Sequence, residues 1–162
     1  MRFARLAVAS SVAIVLNVGA AFAQTATQVV RFEVVAVNQI GVTGTPAPLV
    51  VNSATAGSQP TAVTMAGSSY AVTTNETNQK ITATINEGLP AGLTLEVSLA
   101  APPGATSAGH VSLGTASADV VTGLSNVAAS ALPITYRLSS TASVRMTAQA
   151  TRVVTYTIVS GT

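Results

Sequence analysis

The stretch from residue 80 to residue 99, KITATINEGLPAGLTLEVSL, constrains the possible folds of this chain more than any other. Ile81, Ala83 and Ile85 alternate with Thr82 and Thr84. Leu93, Leu95, Val97 and Leu99 then alternate with Thr94, Glu96 and Ser98. A period of two gives a strand one wet face and one buried face. Between the runs, Glu87-Gly88-Leu89-Pro90-Ala91-Gly92 has turn chemistry, with Gly free to take positive φ and Pro fixing φ without an amide donor. The spacing predicts an antiparallel pair with Ile85 opposite Leu93, Thr82 opposite Glu96 and Lys80 opposite Ser98. Lys80 and Glu96 then become diagonal neighbours on the wet face, a pair worth a few tenths of a kcal/mol. The apolar face of this pair is expected to seed a β-sandwich core.

The first 23 residues read as a cleaved signal peptide. Met1-Arg2-Phe3-Ala4-Arg5 is a short basic start, and a nearly uncharged apolar run follows to Ala21. Ala21-Phe22-Ala23 offers small residues at the two positions a signal peptidase reads, which predicts cleavage before Gln24. A spanning helix needs about 20 apolar residues and a polar stop, and this run is shorter. The expected mature chain, residues 24–162, is the size of one domain. No membrane span is expected within it.

Removing the leader changes the charge argument. The full chain carries a formal +2, but Arg2 and Arg5 leave with the leader. Arg31, Lys80, Arg137, Arg145 and Arg152 then balance Glu33, Glu76, Glu87, Glu96 and Asp119. Nucleic-acid binding rests on clustered Lys and Arg, so it is excluded. The chain has no Cys, so its core must hold without disulfides even in an oxidising compartment. Charged residues make up only 7% of the chain, and hydroxyls rather than ions must wet its surface. Such a neutral, threonine-rich chain is prone to associate.

Residues 28–40, QVVRFEVVAVNQI, read as a long first strand. Val30, Phe32 and Val34 face one way and Arg31 and Glu33 the other. A loop is expected over 41–48, a short strand over 49–51 and a second loop over 52–60. Residues 61–65 and 69–74 suggest a hairpin about Ala66-Gly67-Ser68, with Val63, Met65, Tyr70 and Val72 pointing inward. Asn75-Glu76-Thr77-Asn78 is a polar turn, and Ala101-Pro102-Pro103-Gly104 stops any strand. Residues 111–113 and 120–121 are short strand candidates. Residues 126–131 could hold a helical turn that Pro133 ends. Residues 134–138 alternate with Arg137 outward, and 151–159, TRVVTYTIV, close the chain with Val154, Tyr156 and Ile158 on one face. About eight to ten short antiparallel strands parted by Gly, Pro and Asn turns predict an all-β, immunoglobulin-like β-sandwich.

Chemistry-bearing residues are few. His110 is the only His and Asp119 the only Asp, so a metal site lacks its ligands; a Ser-His-Asp triad is formally possible because Ser is abundant, but Gly-x-Ser-x-Gly is absent and nothing places a Ser near His110. The Glu residues lie in different segments, and no Trp is present to wall a sugar site. Asn75-Glu76-Thr77 matches a glycosylation sequon but reads as a turn that happens to match. Tyr70, Tyr136 and Tyr156 read as core residues with their hydroxyls at the sheet rim. No catalytic, cofactor-binding or metal-binding residue is therefore assigned, and the chain is expected to be non-enzymatic.

The leader, the early strand, TNETNQKITATINEGLPAGLTLEVSLAAP and the final RVVTYTIV together resemble secreted fimbrial or coat-type β-sandwich proteins of bacteria. The resemblance implies an exported structural protein of the cell surface, fimbria or extracellular matrix, located outside the cell or in the periplasm. Its expected partners are other proteins or further copies of itself. A binding module presenting a sugar or protein site on its loops is the second expectation. Residues 151–159 carry one charge at their start and no Pro or Gly after it, which makes them the candidate strand for association if they lie at an edge.

Overall fold

The computed structural model describes residues 24–161. They carry nine strands: β1 (Asn38–Gly44), β2 (Val63–Thr74), β3 (Gln79–Ile85), β4 (Leu93–Leu99), β5 (Thr106–Ser107), β6 (Val111–Ser112), β7 (Ala118–Leu124), β8 (Val127–Ser140) and β9 (Val154–Ser160). The strands form two antiparallel sheets, a five-stranded one in the order β1-β2-β8-β4-β6 and a four-stranded one in the order β5-β7-β3-β9. No helix occurs among the described residues. The chain divides into two units, Met1–Glu33 and Val34–Thr162. In the first, the described residues 24–33 are exposed and carry no regular structure; the leader predicted over 1–23 lies outside the described residues.

The alternation over residues 80–99 names the core-facing apolar residues correctly, but Thr82, expected on the wet face, is buried as well, and the predicted hairpin does not form. Ile81, Ala83 and Ile85 are buried, as are Leu95, Val97 and Leu99. However, β3 pairs with β7 and β9, while β4 pairs with β6 and β8. The connection over 86–92 therefore crosses from one sheet to the other, and the two apolar faces line a shared core. Leu89 packs on that core from within the connection. The expected Lys80–Glu96 neighbourhood is lost with the hairpin. Lys80 instead meets Asp119 on β7 at 3.1 Å, and Glu96 meets Arg137 on β8 at 2.9 Å. Period two dictates which face is buried; it does not name the partner.

Four further expectations are corrected. The ladder of the first strand begins only at Asn38 and runs on through Gly44, so residues 28–37 stand outside any strand and residues 41–44 are not loop. Residues 49–51 form no strand. Residues 63–74 make one strand, not a hairpin, because Gly67, at φ +122°, inserts a bulge rather than a turn. Residues 126–131 contain no helical turn, since β8 runs from Val127 through Pro133 to Ser140.

The pairing of β2 with β8 explains how two long strands stay in step. One register shift falls between Met65 and Ser68 and adds a residue to β2; a second, between Tyr70 and Val72, adds one to β8. Ala131, at φ +56°, sits in the second. The two bulges cancel, so Val63↔Leu138 and Thr74↔Val127 lie on the same register.

Fourteen buried side chains from both sheets make the core, among them Tyr70, Val72, Ile81, Leu99, Val120, Val121, Leu124 and Ile134. Val120 and Val121 are adjacent yet both buried, because the β3–β7 register shifts between Ile81 and Thr82. Each large aliphatic side chain buried this way contributes about 1.5–3 kcal/mol. Polar contacts also join the sheets: the hydroxyls of Tyr136 on β8 and Tyr156 on β9 lie 2.8 Å apart, and Ser107 Oγ on β5 donates to the Leu99 carbonyl on β4 at 2.6 Å.

Candidate interaction edges

The residues that could carry chemistry are dispersed, and most are engaged in holding strands. His110 is exposed in the connection between β5 and β6. Asp119 is paired with Lys80, Glu96 with Arg137, and Glu87 with Arg152 at 3.6 Å. Among the described residues, no three His, Asp or Glu side chains gather closely enough to share a metal ion. Surface pairs of this kind are worth about 0–1 kcal/mol and act chiefly as registers between strands.

Asn75, the sequon asparagine, has its amide committed to the backbone. Its Oδ1 accepts from Val37 N at 2.7 Å, its Nδ2 donates to the Val35 carbonyl at 2.8 Å, and its own N–H reaches the Val37 carbonyl at 3.2 Å. The side chain thus copies a ladder residue just beyond the end of β2 and holds residues 35–37 without a strand. Beside it, Thr74 Oγ1 donates to Asn38 Oδ1 at 2.7 Å, and Asn38 Nδ2 donates to Glu76 Oε2 at 2.5 Å. A shallow hollow of about 330 Å³ opens between Asn75 and Asn126, and a second of about 260 Å³ lies between β1 and β2. Neither contains a charged residue.

The tyrosines divide into two roles. Tyr70 is buried and donates its hydroxyl to the Ala100 carbonyl at 2.5 Å; burial pushes its pKa up to about 12. Tyr156 is shifted upward more strongly, first by burial and then by its hydrogen bond to Tyr136. Both hydroxyls stay protonated at neutral pH and serve as fixed donors or acceptors.

No known protein family, curated protein or solved structure matches this chain.

What remains distinctive is the pair of sheet borders. β5 and β6 are two residues each, which leaves little edge to template another strand. β1 and β9 are seven residues each, and among the described residues each has a single ladder partner, β2 and β3 respectively. β1 contains Gly41 and ends at Gly44, at φ +83°, and both features weaken a strand. β9, VTYTIVS, is the stronger template, with no charge, Pro or Gly. The charge that precedes it is turned aside: Arg152 Nη2 donates to the Gly88 carbonyl at 3.1 Å, and Nη1 lies toward Glu87. Thr155, Thr157 and Val159 are exposed on its outer face, while Val154, Tyr156 and Ile158 are half-buried against the core. Among the described residues, no helix is long and apolar enough to cross a membrane.

The composition of residues 151–159 marked this strand as the candidate for association; its place at an edge was not readable from the chain. Sequence reasoning missed the open edge of β1 altogether, because residues 41–44 looked like loop. It also missed Asn75 as a backbone surrogate, although an Asn just past a strand end is a known local mimic of main-chain pairing.

Proposed function

We propose that this chain is an exported, non-enzymatic structural protein of the cell surface, fimbria or extracellular matrix, whose copies associate through edge strands of an immunoglobulin-like domain. The observation that carries the reading is the β9 edge: seven residues of high β propensity, uncharged, with one ladder partner. An edge of that kind takes an added strand by main-chain hydrogen bonding, with alternate side chains giving selectivity. Native sheets that stay monomeric protect such edges with charge, Pro or a covering loop, and β9 has neither charge nor Pro. The balanced charge of residues 24–162 adds no long-range repulsion between copies. The leader supports export with cleavage before Gln24.

The test is the double substitution Thr155→Lys with Thr157→Lys, both on the exposed outer face of β9. The parent protein, expressed with its own leader and purified from the envelope or medium, should form oligomers or filaments in light scattering. The variant should stay monomeric with its melting temperature kept. A parent that is monomeric at high concentration removes the reading. Intact mass of the same preparation should correspond to a chain starting at Gln24; an uncleaved cytoplasmic form as the main species removes the export part.

A further inference from the structure

The phase of the β3–β9 ladder decides which main-chain groups of β9 remain for a partner. Asn86 N donates to the Val153 carbonyl at 3.1 Å, and Gly161 N donates to the Asn78 carbonyl at 2.6 Å. Both bonds fall on the register that sets Thr82 opposite Thr157. In an antiparallel ladder, hydrogen-bonded and non-hydrogen-bonded pairs alternate. Thr155, Thr157 and Val159 therefore turn their amides and carbonyls toward β3. Val154, Tyr156, Ile158 and Ser160 turn theirs to the opposite side, where β9 ends the sheet and, among the described residues, no strand follows. These four residues are spaced evenly about Thr157.

We infer that β9 pairs with β9 of a second copy, antiparallel, about a two-fold axis through Thr157. The inference rests on the edge-association reading above and names the partner, the register and the symmetry. Centring the pairing on Thr157 sets Val154 opposite Ser160 of the second copy and Tyr156 opposite its Ile158. Every outward amide and carbonyl of the strand then finds its complement. A centre at any other residue leaves Val154 or Ser160 without a partner inside the strand. The side chains agree with that register. On the core side an aromatic, Tyr156, lies beside a β-branched chain, Ile158; on the outer face Thr157 meets Thr157, and Thr155 meets Val159. A two-fold axis sets any charge near it against its own copy, and like charges directly opposed destabilise a pair. β9 holds no charge, so this axis imposes no such cost. The contact is isologous and closes at two copies. It joins the two four-stranded sheets into one of eight strands, with β9 and its copy at the centre.

Cross-linking at single positions tests the register. The chain contains no Cys, so one introduced thiol reports its own neighbour. Thr157→Cys sits on the axis, at a non-hydrogen-bonded pair with Cα atoms about 4.5 Å apart, within disulfide reach. Oxidation of this variant, expressed as the full chain with its own leader, should convert most of it to a disulfide dimer on a non-reducing denaturing gel. Thr155→Cys should stay monomeric, because its counterpart in the second copy lies about 13 Å away along the strand. Mixing Thr155→Cys with Val159→Cys should restore the cross-link, at twice the monomer mass. If the parent assembles in light scattering but Thr157→Cys cross-links no better than Thr155→Cys, edge association stands and the inference falls. Equal cross-linking by Thr155→Cys, Thr157→Cys and Val159→Cys alone also overturns it, since that reports random collision. A parent that stays monomeric at high concentration, with no cross-link at position 157, overturns both. If Thr157→Cys fails to fold, the mixture of Thr155→Cys and Val159→Cys decides the register.

Discussion

Tyr70 fills the place that Pro133 leaves open. Ala100 N donates to the Pro133 carbonyl at 3.0 Å, one half of a hydrogen-bonded antiparallel pair. The other half would come from the amide of residue 133 to the Ala100 carbonyl, and proline has none to give. The Tyr70 hydroxyl reaches across from β2 and donates to that same carbonyl at 2.5 Å. A proline inside β8, a strand paired on both sides, is thereby tolerated.

Removing the hydroxyl should expose that dependence. Tyr70→Phe leaves a carbonyl without its donor and should destabilise the domain by about 1–3 kcal/mol. Pro133→Ala in the same chain restores an amide at the right place and should recover part of the loss. A double-mutant cycle in denaturant melts checks this. Strictly additive effects would show that the two residues do not share the Ala100 carbonyl.

Alkaline solution should unfold the domain through its buried phenols. The pKa of Tyr70 is raised to about 12 by burial, and that of Tyr156 is raised further. The unfolded chain titrates near pH 10 and releases these protons first, so the folded state binds more protons above that point. The stabilisation is complete below about pH 10 and is lost as pH rises toward and past 12, by up to about 1.4 kcal/mol per pH unit for each tyrosine. Melting temperatures from pH 8 to 12 should be flat and then fall. Tyr156→Phe should make the fall shallower, and an unchanged slope would assign it to other groups.

The facing of β4 is tested by neighbours. Leu95 is buried and Thr94 exposed, so Leu95→Ala should cost roughly 2–5 kcal/mol and Thr94→Ala little. Equal losses in urea would mean that the strand is turned over.

Faces were legible in this chain because burial acts on each strand separately. The alternations at Ile81–Ile85, Leu93–Leu99 and Val154–Ile158 all point inward as their pattern says. Partners were not legible, because Ile85 and Leu93 satisfy the same pattern whether they share a sheet or face each other across the core. Residues 28–37 show the opposite failure: a valine-rich run that alternates over residues 30–34 yet has no ladder, since β propensity describes readiness to pair and not the presence of a mate. Pro133 misled in a third way, because the residue that compensates it lies far away in sequence, at Tyr70. The candidate edge was half visible, in the uncharged composition of β9. Its exposure depended on sheet order, which no local signal carries.

The pairing of Gln79 with Ser160 and of Ile85 with Val154 sets a timetable for synthesis. A chain made from its N-terminus completes β3 long before β9 exists, and β3 must wait with one side bare. Local contacts cannot relieve the wait, since its other partner, β7, lies beyond four intervening connections. Any factor that delays the last ten residues, such as a stalled ribosome or a clipped C-terminus, therefore leaves a buried strand of the finished molecule open to whatever strand arrives first.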